Sequence, residues 1–271
     1  MIGKLIYFEI TKKWRTVKYL LLGYAGIQTL LLLVIRLFFW NEGIAEELTI
    51  DIADKASQHA NVISASFILT MVVFFLLAAF LGAYPFIEGI YRFERDLSGK
   101  QAYLELMIPA VSWKKVFSKL IATLCSLIVF GTVSLLSIFL FFAVNGNING
   151  SFFEIVWMGI KEIWNDGPKV LILLLFILFS FASFYMIIFF CISIAKSFTH
   201  KNTVAIPIGI LAFIVVTALI SALSMQLEKV PIIEYSIMSY SSSLSTTISQ
   251  VLIFIAALAG TSWLMEKRIE H

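Results

Sequence analysis

The chain has 271 residues, of which 60% are apolar and only 14% are charged, and its formal net charge is +3. A soluble domain carries about a quarter of its residues as charged side chains, so this composition excludes an ordinary water-soluble globule. The small net charge gives no reason to expect a nucleic-acid partner. Cys125 and Cys191 both lie in apolar stretches, which excludes a disulfide framework.

Residues 1–18 come before the first long apolar stretch and combine basic and apolar side chains. The apolar residues recur at helical spacing, with Lys4, Lys12 and Arg15 on the opposite arc. This pattern predicts an amphipathic, elbow-like interfacial helix along the inner membrane surface. The alternative is a positively charged segment that only sets topology. The apolar members are Ile2, Ile6, Ile10, Trp14 and Val17.

Six apolar stretches are long enough to cross a bilayer, which requires about 20 consecutive apolar residues in a helix. The sequence therefore predicts an all-α, polytopic membrane protein, with residues 19–266 as a six-span transmembrane domain. The stretches are Tyr19–Trp40, Val62–Ile87, Leu120–Val144, Val170–Ala195, Asn202–Leu227 and the later part of Tyr235–Met265.

Most basic residues fall before the first predicted span, between the second and third, between the fourth and fifth, and after the sixth. With six spans, all four of these segments lie on one side of the membrane. Because Lys and Arg concentrate on the cytoplasmic side, we expect a plasma-membrane protein with both termini in the cytoplasm.

The connection between the second and third predicted spans, residues 88–119, is the longest on this side. Ser98 and Gly99 predict a turn. Residues 100–107 are mostly good helix formers, and Pro109 ends the helix because it disfavours helix in the residue before it. The pattern predicts a short surface helix whose apolar side chains favour a partner groove.

This connection resembles the cytoplasmic loop of type-2 ABC transporter permeases, the export-type membrane subunits with six spans. That loop commonly has an acidic stretch, a small-residue turn, a leucine-rich piece ending in Pro, a small residue and Ser, and then a basic residue and Lys-Leu. Residues 104–108 depart from the family's simpler leucine pair and leave the register open. The matching positions are Asp96, Ser98, Gly99, Leu104, Leu106, Pro109, Ser112, Lys115, Lys119 and Leu120.

The resemblance covers the whole chain and implies that this loop is a coupling helix in a cleft of a separate ATPase subunit. It also implies two ATPase subunits working with two permeases, the second being another copy or a paralogue. ATP and Mg would be bound by the ATPase, with no cofactor in this chain. The alternative is a loop that only joins two spans. The implied coupling residues are Leu97, Tyr103, Leu104, Glu105, Leu106, Met107 and Pro109.

No glycine-rich phosphate-binding loop occurs in the sequence, so we expect no enzyme activity from this chain alone. The predicted span centres contain no ionisable residue, which argues against a proton-coupled carrier. The expected function is export of amphipathic or hydrophobic cargo, best matched by peptide toxins or antimicrobial peptides. In this the chain is similar to Gram-positive permeases that export phenol-soluble modulins. The alternative is a membrane protein not driven by ATP: a secondary carrier, a scaffold or an immunity protein.

Hydroxyl side chains are dense before and at the start of the sixth span. Within a membrane such residues favour a helix interface or a wet cavity, so they are candidates for a translocation path. An exposed outer loop with close helix packing explains them equally well. The candidate residues are Ser239, Ser242, Ser243 and Thr246.

Overall fold

The computed structural model describes residues 2–42, 58–98, 110–144, 157–158, 161, 167–199, 202–227, 234–237 and 240–269. Two short antiparallel strands, β1 (Glu234–Ile237) and β2 (Tyr240–Ser243), form a hairpin. The long helices are α1 (Ile2–Glu42), α2 (Gln58–Asp96), α3 (Ser112–Val144), α4 (Gly167–Phe198), α5 (Asn202–Leu227) and α6 (Leu244–Leu264), which continues as a π-helical turn, Met265–Ile269.

All six helices are long and apolar enough to cross a membrane. Their exposed faces carry mostly Leu, Ile, Val and Phe, side chains that suit contact with lipid. The predicted all-α fold with six transmembrane helices is confirmed, and the chain is a multi-pass membrane protein. For α5 the predicted and observed bounds are the same, Asn202–Leu227.

α1 and α2 are longer than a single crossing requires. They contain 41 and 39 residues, about 60 Å each at 1.5 Å per residue, or roughly twice the hydrocarbon thickness. The interfacial helix predicted for residues 1–18 is not a separate element, because α1 is uninterrupted from Ile2 onward. Residues 4–22 contain neither Gly nor Pro, so no local signal breaks the helix there.

The face of α1 that packs inward near its start shares only Val17 with the predicted apolar stripe. Glu9, Lys13 and Val17, spaced four residues apart, are buried, whereas Trp14 is half exposed. Since residues four apart share one helix face, two charged side chains lie on the packed face of α1. Hydrophobic periodicity alone could not have found this face.

Residues 1–10, 86–125 and 162–271 form one compact unit. Within it α4 packs against both α5 and α6. The rings of Phe93 on α2 and Phe189 on α4 stack with centroids 4.0 Å apart. The buried core of this unit joins the end of α2, the start of α3, the middle of α4 and the end of α6. Its members include Phe93, Leu97, Val116, Leu120, Tyr185, Met186, Phe189, Ala257 and Met265.

Residues 11–85 and 126–161 form a second compact unit, built from the remaining parts of α1, α2 and α3. The Ser134 hydroxyl on α3 donates a hydrogen bond of 2.9 Å to the Ala78 carbonyl on α2. Two buried apolar clusters hold these helices together. They consist of Val17, Tyr24, Leu81 and Phe130, and of Leu32, Ile35, Phe74 and Phe141.

Among the described glycines of α2, Gly89 has the closest neighbours on other helices, and these belong to α3 and α4. A Cβ added there would lie 2.6 Å from Thr123 Cγ2 and 3.3 Å from Tyr185 Cε1. We expect Gly89→Ala to lower the free energy of unfolding by about 1–3 kcal/mol through overpacking. Reversible unfolding in mixed detergent and SDS micelles measures this change.

Gly82→Ala is the matched control for this prediction, because Gly82 lies on the same helix and a Cβ there would meet only Ser134 Oγ, at 3.9 Å. Since Ala favours helix over Gly, the control is expected to be neutral or slightly stabilising. If the two variants unfold alike, α2 does not make the close approach at Gly89.

Candidate functional site

The structure describes the two helix ends that border the predicted coupling loop, the end of α2 and the start of α3. α2 ends at Asp96, and the Ser98 hydroxyl donates a hydrogen bond of 2.6 Å to the Glu94 carbonyl. The Leu97 N–H also donates to this carbonyl, at 3.2 Å, so a carbonyl of the last helical turn is satisfied without a further turn of helix. The other side of the loop begins at Ser112, the first residue of α3. The helix therefore extends past residue 88, where the connection was predicted to begin.

Leu97 is the predicted coupling residue that the structure describes. Its side chain is only 6% exposed and packs in the core cluster with Phe93 and Val116. Leu97 is thus placed to anchor the base of the loop, and its side chain is not at the surface. The other predicted coupling residues, Tyr103, Leu104, Glu105, Leu106, Met107 and Pro109, lie outside the described residues.

Three charged side chains meet in the core where α2 ends, and we call them the charged triad: Glu9, Asp96 and Lys119. Lys119 Nζ on α3 lies 3.3 Å from Glu9 Oε1 on α1 and donates a hydrogen bond to Asp96 Oδ2 on α2. All three residues are buried, with at most 8% exposed. One ammonium group therefore joins three helices.

A second ion pair, between a buried lysine and a partly exposed glutamate, joins the end of α2 to α4. Lys196 Nζ lies 3.3 Å from Glu94 Oε1, and Lys196 is only 2% exposed. Within α2, Arg92 Nε lies 2.6 Å from Glu88 Oε1, one helical turn away. The charged residues at the end of α2 thus contact other helices as well as their own.

These contacts bring together helix ends that the basic residues predicted to lie on one side of the membrane. The triad and the Glu94–Lys196 pair join the start of α1, the end of α2, the start of α3 and the end of α4. Met265, at the end of α6, packs in the same core cluster as Leu97. We call this region the common end.

Buried ion pairs determine which helices pack together more than they add to the net free energy of folding. Desolvation of two charges offsets much of their attraction, yet removal of one partner typically costs about 3–5 kcal/mol. The pairs at the common end are therefore expected to keep four helix ends in register. In the part of the chain that the structure describes, no group of His, Cys, Asp or Glu is arranged to hold a metal ion.

Two buried hydroxyls lie on α4, that of Ser193 near the common end and that of Tyr185 in the middle of the helix. Tyr185 and Ser193 are both fully buried, and neither hydroxyl has a hydrogen-bond partner among the described residues. The Tyr185 ring stacks on Phe86, with centroids 5.4 Å apart. The ring packing therefore holds Tyr185 in place, and its hydroxyl contributes no hydrogen bond there.

The predicted translocation residues are divided between two elements. Ser242 and Ser243 belong to β2, where they pair with Tyr235 and Glu234, and Thr246 lies in the first turn of α6. The side chains of these three, and the whole of Ser239, lie outside the described residues. The hydroxyl-rich stretch is thus partly a hairpin that precedes the sixth span.

The charged triad and the Glu94–Lys196 pair were not predicted from the sequence. The available signal was Glu9, an acidic residue among the bases of residues 1–18, together with acidic residues at the end of an apolar span. Each of these two signals also fits a charged segment that only sets membrane topology, so the sequence did not identify which charges pair.

In comparisons with known proteins, no family model matches the chain. No curated protein and no solved structure matches it either. The function is therefore inferred from the residues and contacts of this chain.

Proposed function

We propose that this chain is the membrane-spanning permease subunit of an ATP-driven exporter, moved by a separate ATPase that binds the loop between α2 and α3. The observation that supports this best is the charged triad, which lies at the base of that loop. A displacement of residues 99–109 would be passed through Asp96 and Lys119 to α2, α3 and α1. The Glu94–Lys196 pair would pass it on to α4.

The sequence supports a motor on another polypeptide. The chain has no glycine-rich phosphate loop, so ATP and Mg would be bound by the partner. The layout of residues 96–120 resembles the coupling loop of type-2 ABC permeases, which work as two permeases with two ATPases. The second permease would be another copy of this chain or a paralogue.

The distribution of basic residues supports the orientation that this proposal requires. Lys114, Lys115 and Lys119 lie at the start of α3, and Lys196 lies near the end of α4. Under the positive-inside rule the common end faces the cytoplasm, where ATP is available. Both termini would then be cytoplasmic, in the plasma membrane.

The proposed cargo is an amphipathic or hydrophobic molecule, with peptide toxins or antimicrobial peptides as the best match. In the described spans, the charged residues of α2 and α3 lie toward the common end, α4 carries Lys196 there and Lys169 at its opposite end, and the helix surface between them is mostly apolar. Such a surface suits cargo that partitions into the bilayer. The same apolar surface would not favour a strongly hydrated ion or sugar.

The test is co-purification of the tagged full-length chain from its native membranes, with mass spectrometry of the bound proteins. The wild type is expected to retain a P-loop ATPase. Leu106→Asp places a charge in the predicted coupling helix and is expected to reduce ATPase recovery by at least about tenfold, because a buried unpaired charge opposes binding.

Ile148→Asp is the matched control, since it introduces the same charge in the predicted connection between the third and fourth spans, on the opposite side of the membrane. This variant is expected to recover as much ATPase as the wild type. If the wild-type chain retains no ATPase, or if both variants lose it equally, the proposed coupling is wrong.

A further inference from the structure

A groove of about 400 Å³ lies between α4 and α5 and is closed on a third side by the end of α2. Its volume falls within the range of roughly 300–1,000 Å³ that is usual for ligand sites. The walls are almost entirely apolar, with Ile188 and Ile192 on α4 facing Ile206 and Ile210 on α5. We propose that this groove binds one acyl chain of a membrane phospholipid.

Small side chains make room for the groove. Ala195 on α4 and Ala205 and Gly209 on α5 all line it. A Cβ added to Gly209 would lie 3.6 Å from Ala195 Cβ, an ordinary contact. The groove is therefore deep at this point, since no large side chain from either helix fills the space.

The two ends of the groove differ in chemistry. Glu94 and Lys196, the ion pair described above, line one end. Phe184 and Phe213 line the other, with ring centroids 6.3 Å apart and planes at 90°. The part of α4 between Phe184 and Lys196 is about 18 Å long at 1.5 Å per residue. The groove thus has a charged end, an apolar middle and an aromatic far end.

The groove opens toward lipid. Ile206 and Ile210 line it and are 55% and 58% exposed on a helix that is apolar enough to span the membrane. The hydrocarbon region contains no water to fill such a space, and an empty groove would forfeit packing contacts. A lipid acyl chain can fill the groove at little cost in free energy, because the lipid is already in the surrounding bilayer.

The charged end sets the direction of the bound lipid. Lys196 lies within three residues of the end of α4 at Phe198, at the common end. Charged groups within a membrane protein are favoured near the headgroup layer. The lipid headgroup would therefore lie at the common end, with the acyl chain running toward Phe184 and Phe213. This inference holds whether or not an ATPase binds the chain.

The test uses two phosphatidylglycerol probes in vesicles that contain the full-length chain. One probe carries a diazirine at the end of its acyl chain, and the other carries it close to the glycerol. After photolysis, peptide mass spectrometry is expected to find the first probe near Phe184 and Phe213. The second is expected near Ala195 and Ala205.

Variants on α5 distinguish the groove from the general lipid layer. Ile210→Trp fills the groove and is expected to reduce both labels on α4 and α5 by at least about threefold through steric exclusion. Leu219→Trp is the control, because Leu219 is on the same helix and is 59% exposed but does not line the groove. It is expected to leave the labelling unchanged.

Three results would overturn the inference. Wild-type labelling spread evenly over the exposed helix faces would indicate unspecific lipid contact only. Labelling that Ile210→Trp leaves unchanged would place the lipid elsewhere. Reversal of the two probe positions would exclude a headgroup at the common end. Thermal unfolding of both tryptophan variants shows whether each is folded, and none of these results depends on ATPase binding.

Discussion

Lys119→Met is expected to lower the free energy of unfolding by about 3–5 kcal/mol, the usual cost of removing one partner from a buried ion pair. Lys119 serves two carboxylates on two other helices, Glu9 and Asp96. Met has a similar length and keeps most of the side-chain packing, so the loss reports mainly on the charge. Reversible unfolding in mixed detergent and SDS micelles gives the free energy.

Lys114→Met is the matched control, since it makes the same substitution on the same helix. Lys114 Nζ lies 5.5 Å from the centroid of the partly exposed Trp113 ring. A cation–π contact of this kind contributes about 0.5–1 kcal/mol at an exposed site, so the expected loss is small. Equal losses in the two lysine variants would contradict the role assigned to the triad.

A double variant tests whether Lys119 acts through Asp96. In the Lys119→Met background, Asp96→Asn removes a buried negative charge that has lost this cation. The second substitution is therefore expected to cost less than it does in the wild type, and the difference, the coupling energy between the two side chains, is expected to be about 0.5–3 kcal/mol. Strict additivity would show that the two side chains are independent.

Tyr185→Ala is expected to destabilise the protein by about 3 kcal/mol, the low end of the range for removing a buried aromatic side chain. Tyr185 is fully buried and its ring contacts Phe86 and Phe189, at centroid distances of 5.4 and 6.2 Å. Lipid tails are as apolar as the core, so the loss comes from packing and from the cavity. The same unfolding measurement applies.

Tyr185→Phe separates the ring from the hydroxyl. The hydroxyl has no hydrogen-bond partner among the described residues, so its removal is expected to be neutral or slightly stabilising. If Tyr185→Phe loses as much stability as Tyr185→Ala, the hydroxyl rather than the ring supplies the stabilising contact. That result would contradict the packing described for α4.

The number of spans could be predicted because the bilayer imposes one strong rule. Backbone groups in hydrocarbon must bond within their own helix, so each long apolar run is a helix. α5 shows this best, with predicted bounds equal to those observed. The ends of α1 and α2 could not be predicted in this way, because the apolar run stops at the first charges whereas the helix continues.

The candidate site could be predicted only in outline. The loop between α2 and α3 was found from its turn and helix signals, and α2 does end in a turn at Leu97 and Ser98. The buried position of Leu97 was not foreseen, because a leucine beside charged residues reads as exposed when its neighbours in space are unknown.

The sequence by itself determined that this chain crosses a membrane six times and which helix ends carry the basic residues. Only the tertiary structure decided which charges pair, since Asp96 and Lys119 are 23 residues apart and Glu9 lies on a third helix. It also decided that α4 and α5 leave a groove between them. The physical reason is that hydropathy depends on each side chain's own transfer free energy, whereas ion pairs and grooves depend on how separate helices pack.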